Sequence, residues 1–250
     1  MTARPNPIST AFWTYVIPMT STRAMKVGLL LFGLFLVAVV LAYTSGLFLA
    51  HFDEYTLVSM RHFLIMVALP VAAVLLSEMP IRDGITHRTL LYPLLGPVPR
   101  TTLAAVRLTV TGAILAVGIS ILLLLIRILL KDGLGFLPRE LLAVFLGAFA
   151  YGSLFGFVHL YNRRGLIAGL VILFLFDIPL GRLPFSLRNI SPSYHMGVIA
   201  NQQEHMDLPI IFGLPATSVG LSALILAAIA VVFGAAIAIG FKRKHLGELC

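Results

Sequence analysis

Charged residues are scarce in this chain. Asp, Glu, Lys and Arg make up 11% of its 250 residues, whereas hydrophobic residues make up 59%. A soluble domain carries roughly 25% charged residues. A chain with half that fraction cannot cover a globule of this size with a surface that water tolerates. The composition therefore predicts that lipid is the solvent for most of the protein.

Two kinds of chemical site are also missing from the sequence. The only cysteine is Cys250, which excludes an internal disulfide and a metal site of the Cys-x-x-Cys type. The phosphate-binding pattern Gly-x-x-x-x-Gly-Lys-Ser/Thr does not occur. We therefore expect this chain to be no enzyme by itself and to bind no cofactor. If ATP drives its activity, ATP and Mg²⁺ would be bound by a separate subunit.

The sequence does contain a series of long apolar segments. Each helical crossing of a membrane needs about 20 residues, and the segments predict an all-α bundle of six transmembrane helices. The predicted crossings are residues 27–49, 55–76, 103–126, 141–159, 166–180 and 214–241. The fifth is short, because about 15 residues rise only about 22 Å against a hydrocarbon core of roughly 30 Å.

The two termini differ in pattern. Within residues 1–26, the stretch 8–25 places apolar and aromatic side chains among Ser, Thr and Arg23. This pattern favours a short helix in the membrane interface over a loose tail. Residues 242–250 form a short polar tail.

Lysine and arginine are distributed unequally between the two sides of the predicted bundle. Of the 18 such residues, six lie on one side and 12 on the other, the larger set being Arg4, Arg23, Lys26, Arg82, Arg88, Arg100, Arg107, Arg163, Arg164, Lys242, Arg243 and Lys244. Short cytoplasmic loops carry the excess of positive charge, so both termini are predicted to be cytoplasmic. The distribution also accounts for the net charge of +8 without a nucleic-acid partner. We expect a multi-pass protein, and the family resemblance described below implies a bacterial inner membrane.

The largest cytoplasmic connection is residues 77–102, between the second and third crossings. It begins with charges of both signs, including Glu78 and Asp83, continues through an apolar stretch and ends in Pro-Val-Pro-Arg at 97–100. Its prolines cannot lie inside a regular helix, so they separate the loop from the third crossing. Residues 86–95 predict a short amphipathic segment at the inner surface, suited to contact a cytoplasmic partner.

This connection resembles that of ABC-2 type permeases, the membrane subunits of a large class of ABC exporters. In that family, Gly-Thr-Leu is followed by Leu-Leu, by Pro-Val-Ser-Arg and by a basic residue seven positions on. The matching residues here are Thr89, Leu90, Pro97, Val98, Arg100 and Arg107. Arg88 stands in place of the Gly and Pro99 in place of the Ser.

The resemblance implies that the loop holds a coupling helix, which docks into a cleft of a separate ATPase subunit. The coupling residues would then be Glu78, Asp83, Arg88, Thr89, Leu90, Leu91, Pro97, Val98 and Arg100. It further implies a second permease subunit, taken as an identical copy, and export of a hydrophobic or amphipathic substrate.

The architecture of the family matches as well. Its members have six crossings, an amphipathic N-terminal helix and a partly re-entrant outer stretch between crossings five and six. The short fifth crossing and the Pro-rich connection 181–213 fit that arrangement. Ser191 and Pro192 stand where the family has Ser-Pro, and with Asp177 they are candidates for the translocation path. The alternative for Asp177 is an ion pair with Arg182 at the outer interface.

Other polar residues give weaker predictions. His195, Met196, His205 and Met206 offer ligands that suit copper, although methionine is common in apolar chains. Ser153 and His159 suggest an intramembrane protease, but the Gly-x-Ser-Gly pattern of rhomboids is absent and the nearby glycines favour close helix packing. Arg61 and Arg127 are expected to extend to the outer surface.

Two other functions remain as alternatives. An ion-coupled secondary transporter normally shows internal repeats with paired broken helices, and no such repeat is evident. A membrane-embedded lipid-modifying enzyme needs clustered Asp, His or Glu at an interface, and the sequence lacks such clusters.

The predicted orientation can be tested with a cysteine introduced at Thr86, in a chain whose Cys250 is replaced by Ser. A membrane-impermeant thiol reagent should label it only after the cells are opened, because the loop is predicted to be cytosolic. A cysteine at Gln203, in the outer connection, is the matched control and should react in intact cells. Labelling of position 86 in intact cells would contradict the orientation.

Overall fold

The structure, a computed structural model, describes residues 12, 60–78, 99–130, 134–162, 164–182, 186–201 and 217–243. Every element in these ranges is helical, and no β-strand occurs in them. Phe12, in the predicted interfacial helix, is helical and exposed. The first predicted crossing lies outside the described residues. So does most of the connection 77–102, which is called the coupling loop below after its predicted role.

Six helices form the described bundle. They are α1 (Met60–Glu78), α2 (Arg100–Leu130), α3 (Leu137–Tyr161), α4 (Gly165–Gly181), α5 (Pro192–Ala200) and α6 (Val219–Arg243). Short 3₁₀ turns precede α3 at Leu134–Phe136 and α5 at Ser186–Ile190. The predicted all-α class is confirmed for this part of the chain.

Four of these helices, namely α1, α2, α3 and α6, are long and apolar enough to cross a membrane. They correspond to the second, third, fourth and sixth predicted crossings. α3 begins at Leu137 rather than at residue 141, because Pro138 fits the first turn of a helix, where no backbone N–H is needed. α4 corresponds to the fifth crossing and is shorter, as the sequence predicts. The total of six crossings stays a prediction.

α3 is the central helix and contacts α1, α2, α4, α5 and α6. Its buried face includes Ala143, Gly147, Ala148 and Gly156, and such small residues let helices approach closely in a membrane. Large apolar side chains face outward instead, among them Val117, Ile128, Leu175, Leu224 and Val231. This arrangement suits a surface that meets lipid.

Of the four long helices, α2 runs antiparallel to α1, α3 and α6. Leu103, near the start of α2, packs in one cluster with Leu160, Ile237 and Phe241, near the ends of α3 and α6. α1 runs toward the same end, where the carbonyl of Val74 lies 3.0 Å from His159 Nε2 of α3. The end of α1 and the start of α2 therefore share one end of the bundle.

Two helices contain a π turn shortly before a proline. In α1 the π segment is Leu64–Ala68, followed by Pro70, and in α4 it is Ile172–Asp177, followed by Pro179. Proline has no backbone N–H, and its ring collides with the carbonyl four residues earlier in a regular helix. A wider turn removes that conflict without ending the helix.

Gly169→Ala and Gly152→Ala form a matched pair, because both glycines lie inside helices and gain the same helix propensity, about 1 kcal/mol. A Cβ at position 169 would lie 2.9 Å from Val74 Cγ1, whereas a Cβ at position 152 would meet no neighbouring atom within 4 Å. Overpacking costs about 1–3 kcal/mol, so Gly169→Ala should be the less stable variant by that amount in detergent unfolding. Equal stabilities would contradict the close contact of α4 with α1.

Candidate functional site

The π segment of α4 ends in a buried aspartate. Asp177 is 5% exposed, and three polar residues around it are buried to a similar degree. They are Tyr151 of α3, Ser191 immediately before α5 and Ser193 in its first turn. These four residues are called the Asp177 cluster below.

Asp177 accepts hydrogen bonds on both carboxylate oxygens. The Tyr151 hydroxyl donates to Oδ2. The Ser191 hydroxyl lies 2.6 Å from Oδ1, and the backbone N–H of Ser193 lies 3.4 Å from the same oxygen. The expected ion pair with Arg182 is not among the contacts of the described residues. The carboxylate points toward α3 and α5, whereas Arg182 is exposed beyond the end of α4.

The Asp177 cluster lies far from both ends of the bundle. Tyr151 is 14 residues from the start of α3 and 10 from its end, which corresponds to about 21 Å and about 15 Å along the helix. In a bilayer such a position is near the middle of the hydrocarbon core. An ionisable residue at that depth is costly, and it therefore marks a candidate functional site.

α5 begins at this cluster. The Ser191 hydroxyl caps the helix by accepting the backbone N–H of Tyr194 at 3.3 Å. Pro192 occupies the first helical position, where its missing N–H is not needed. All nine residues of α5 are buried. The partial positive charge of the helix N-terminus faces Asp177, which stabilises a carboxylate there.

Further hydrogen bonds hold α5 to its surroundings. His195 Nδ1 lies 3.1 Å from the Ser222 hydroxyl of α6, and Nε2 lies 2.8 Å from the carbonyl of Asn189. A carbonyl only accepts, so we assign the imidazole proton to Nε2, which leaves Nδ1 to accept from Ser222. The hydroxyl of Tyr194 is 3.1 Å from that of Thr217.

The proposed copper ligands do not form a site in the described residues. Both ring nitrogens of His195 are engaged, and Met196 packs so closely on Gly147 that an added Cβ there would overlap its sulfur. His205 and Met206 lie outside the described residues. Within the described ranges, no three His, Cys, Asp or Glu side chains are grouped as a metal site would require.

Ser153 and His159 serve separate contacts. The Ser153 hydroxyl donates to the carbonyl of Ala150 in its own helix at 2.9 Å, and His159 bonds the carbonyl of Val74 on α1. The two side chains therefore form no nucleophile and base pair in this structure. Their contacts agree with the interpretation that this face of α3 packs against neighbouring helices.

Arg127 behaves differently from the sequence prediction. Arg127 is 2% exposed, and its Nε lies 2.8 Å from Glu140 Oε2. Arg61 lies 3.7 Å from the other oxygen of the same carboxylate. The prediction that these arginines extend to the surface was wrong for Arg127, because Glu140 at the start of α3 offers a buried partner and makes snorkelling unnecessary.

A small cavity lies near the end of the bundle where the coupling loop attaches. Its volume of about 10 Å³ is just enough for one water molecule. Ser77 of α1, Arg107 and Thr111 of α2, and Gly152 and Gly156 of α3 contribute to its wall. Arg107, the basic residue that follows the coupling loop in sequence, is therefore buried between helices.

Two predicted coupling residues lie in the described ranges. Glu78 is the last residue of α1 and Arg100 the first of α2, and these two helices pack against each other. The remaining coupling residues lie outside the described residues, namely Asp83, Arg88, Thr89, Leu90, Leu91, Pro97 and Val98.

The sequence pointed to Asp177, Ser191 and Pro192 but not to Tyr151 or Ser193. A tyrosine hydroxyl in the middle of an apolar crossing needs a hydrogen-bond partner, and this rule could have marked Tyr151. It could not have identified the partner, because Asp177 is 26 positions away on another crossing.

Ser191→Ala tests the cluster directly. The change removes a donor to Asp177 and the cap of α5, and we expect the free energy of unfolding to fall by about 1–3 kcal/mol. Ser186→Ala, at an exposed site in the preceding 3₁₀ turn, is the matched control and should stay within about 0.5 kcal/mol of the parent. Detergent unfolding followed by circular dichroism measures both. Equal effects would show that the cluster contributes no special stability.

No protein-family model matches this chain, and no curated protein matches it. The resemblance to ABC-2 type permeases therefore depends on the sequence of the coupling loop and on the predicted architecture.

Proposed function

We propose that this chain is the transmembrane permease subunit of an ATP-driven ABC transporter that exports a hydrophobic or amphipathic substrate. It would act as a homodimer in a bacterial inner membrane, with both termini in the cytoplasm. Each copy would contact a separate ATPase subunit, which binds ATP and Mg²⁺, through the loop between α1 and α2. Lipids would surround the apolar outer faces.

The observation that carries this proposal is the way α1 and α2 meet. Glu78 and Arg100 mark the two helix ends at one end of the bundle, and residues 79–99 connect them. Neighbouring helices typically need only 2–8 residues for such a connection. The additional length, with its charged and apolar parts, favours a segment that has a task beyond joining helices, and its sequence supports the task of ATPase coupling.

The described contacts suggest how a movement of that loop would be transmitted to the other helices. The loop follows directly after α1. The π segment of α1, Leu64–Ala68, contacts both α3 and α5. π turns before a proline are common bending points. A displacement of α1 at Glu78 would therefore bend this helix near Pro70. The bend would move the π segment against the buried helix α5.

One observation favours a second candidate, an ion-coupled secondary transporter. A buried carboxylate faces the N-terminus of a short internal helix, beside a helix interrupted by a π turn and a proline. Secondary transporters commonly build their ion and substrate sites from such discontinuous helices. Transport by the chain alone, driven by an ion gradient, would favour this candidate over the ATP-driven one.

The ATP-driven proposal can be tested by purifying the tagged chain from its native membrane. We expect an ATPase subunit to purify with it, and substrate to stimulate its activity. Replacing residues 86–95 by a Gly/Ser sequence of equal length should abolish this stimulation, because the contact with the ATPase is lost, while the chain still inserts in the membrane.

The variant Arg139→Ala is the control. Its side chain is exposed and lies at the start of α3, at the opposite end of the bundle from the loop, so stimulation should persist. Normal stimulation after the loop replacement would refute the coupling role of the loop. Absence of any ATPase partner would refute the ATP-driven function itself.

A further inference from the structure

The Asp177 carboxylate is held by hydroxyl and amide groups. Its contacts in the described structure come from Tyr151, Ser191 and Ser193. Glu140 offers a direct comparison within the same bundle, because Arg127 and Arg61 neutralise it. A buried carboxylate that lacks a cationic partner loses hydration without gaining an ion pair, so its charged form is much more costly.

The cluster leaves no space for a metal ion. Ser191 Oγ lies 2.6 Å from Asp177 Oδ1 and 3.0 Å from the Asp177 carbonyl oxygen, and it lies 2.8 Å from Ser193 Oγ. These are hydrogen-bond distances between the oxygens themselves. An ion such as Ca²⁺ needs its oxygen ligands around it at about 2.3–2.6 Å, which would force these oxygens apart. A proton requires no such space.

The partners of Asp177 can also accept a change of protonation. A hydroxyl group donates or accepts according to its rotation, so the hydroxyls of Tyr151 and Ser191 can each serve a carboxylate or a carboxylic acid without displacement of a heavy atom. The backbone N–H of Ser193 donates to either form. An arginine partner could not, because a guanidinium only donates. The hydroxyls of Ser191 and Ser193 lie within hydrogen-bond distance of each other. When one of them exchanges the roles of donor and acceptor, the other can do the same.

We infer that Asp177 is a proton-binding site and that its protonation controls how firmly α5 is held. The ionised carboxylate accepts three donors and attracts the positive N-terminus of α5. When a proton is added to one carboxyl oxygen, no other covalent bond forms or breaks. The attraction to the helix N-terminus is then lost and one donor must turn to accept, so α5 is held less firmly against α3 and α4.

Other titratable and charged groups near the cluster have their own partners or lie at the periphery. Tyr151 of α3 belongs to the cluster. His195 of α5 is close enough to interact electrostatically with Asp177, and it bonds Ser222 and the Asn189 carbonyl. Arg182 is exposed at the end of α4, and the guanidinium of Arg188 lies 4.9 Å from the ring centre of Tyr194. The described parts of α1 and α6 that contact α5 present no charged side chain to Asp177.

This inference goes beyond the proposed permease function and does not depend on it, because protonation can be measured on the purified chain alone. The first measurement is infrared difference spectroscopy of the full-length protein in lipid nanodiscs during a pH titration. We expect a carbonyl stretching band of a buried carboxylic acid to appear as the pH falls. Asp177→Asn should abolish the band, and Glu140→Gln should leave it in place.

Tyr151→Phe provides a second variant in case Asp177→Asn folds poorly. It retains the shape of the ring and removes one hydroxyl partner, so the frequency of the band and the midpoint of its titration should both change. If no band is lost in Asp177→Asn and none changes in Tyr151→Phe, Asp177 does not bind a proton and the inference is refuted.

The second measurement follows α5. A cysteine replaces Ala200, which is 2% exposed, in a chain with Cys250→Ser. Its rate of reaction with a thiol reagent is divided by the rate in unfolded protein at the same pH. We expect this ratio to rise at least tenfold between pH 8 and pH 5. Adding Asp177→Asn, which resembles the protonated form, should give the high ratio at both pH values. A ratio that stays constant in the parent chain would refute the link between protonation and α5.

Discussion

The hydrogen bonds that converge on Asp177 are the interaction on which the interior of the bundle depends. They join α3, α4 and α5 at a depth where water cannot replace a lost partner. Each polar group in this region must therefore be satisfied by another part of the chain. Tyr151 and Ser191 supply those partners from opposite sides of the carboxylate. The short helix α5 can be fully buried because its first turn completes this network and its later residues bond Ser222 and Thr217.

A second constraint is the space between helices. Gly147 lies against Met196 and Gly169 lies against Val74, so α5 and α1 approach the backbones of α3 and α4 directly. Gly181 has a related role, because a Cβ there would lie 2.8 Å from Ser193 Oγ. Small residues at these three positions allow the polar cluster to form between closely packed helices. The close packing of these helices and the hydrogen bonds of the Asp177 cluster thus depend on each other.

The sequence predicted the coarse architecture because the decisive signal, long runs of apolar residues, is local. The second, third, fourth and sixth predicted crossings match the helices α1, α2, α3 and α6 within a few residues, and the fifth predicted segment matches the shorter helix α4. Helix ends were less accurate where a single residue shifted them, as Pro138 does at the start of α3. The burial of Arg127 was missed, because only the fold shows that Glu140 lies beside it. The partner of Tyr151 could not be predicted for the same reason, since Asp177 belongs to a distant part of the chain.

The π turns in α1 and α4 change which residues share a helix face. Each adds a residue to one turn, and an α-helix advances about 100° per residue. The pattern of lipid-facing and interior-facing positions is therefore rotated by roughly that angle on either side of Leu64–Ala68 and of Ile172–Asp177. A helical wheel drawn through the whole of α4 with a period of 3.6 would assign the residues before and after the π turn to inconsistent faces. In α4, this rotation directs Asp177 into the bundle interior although Phe174, Leu175 and Phe176 just before it are exposed.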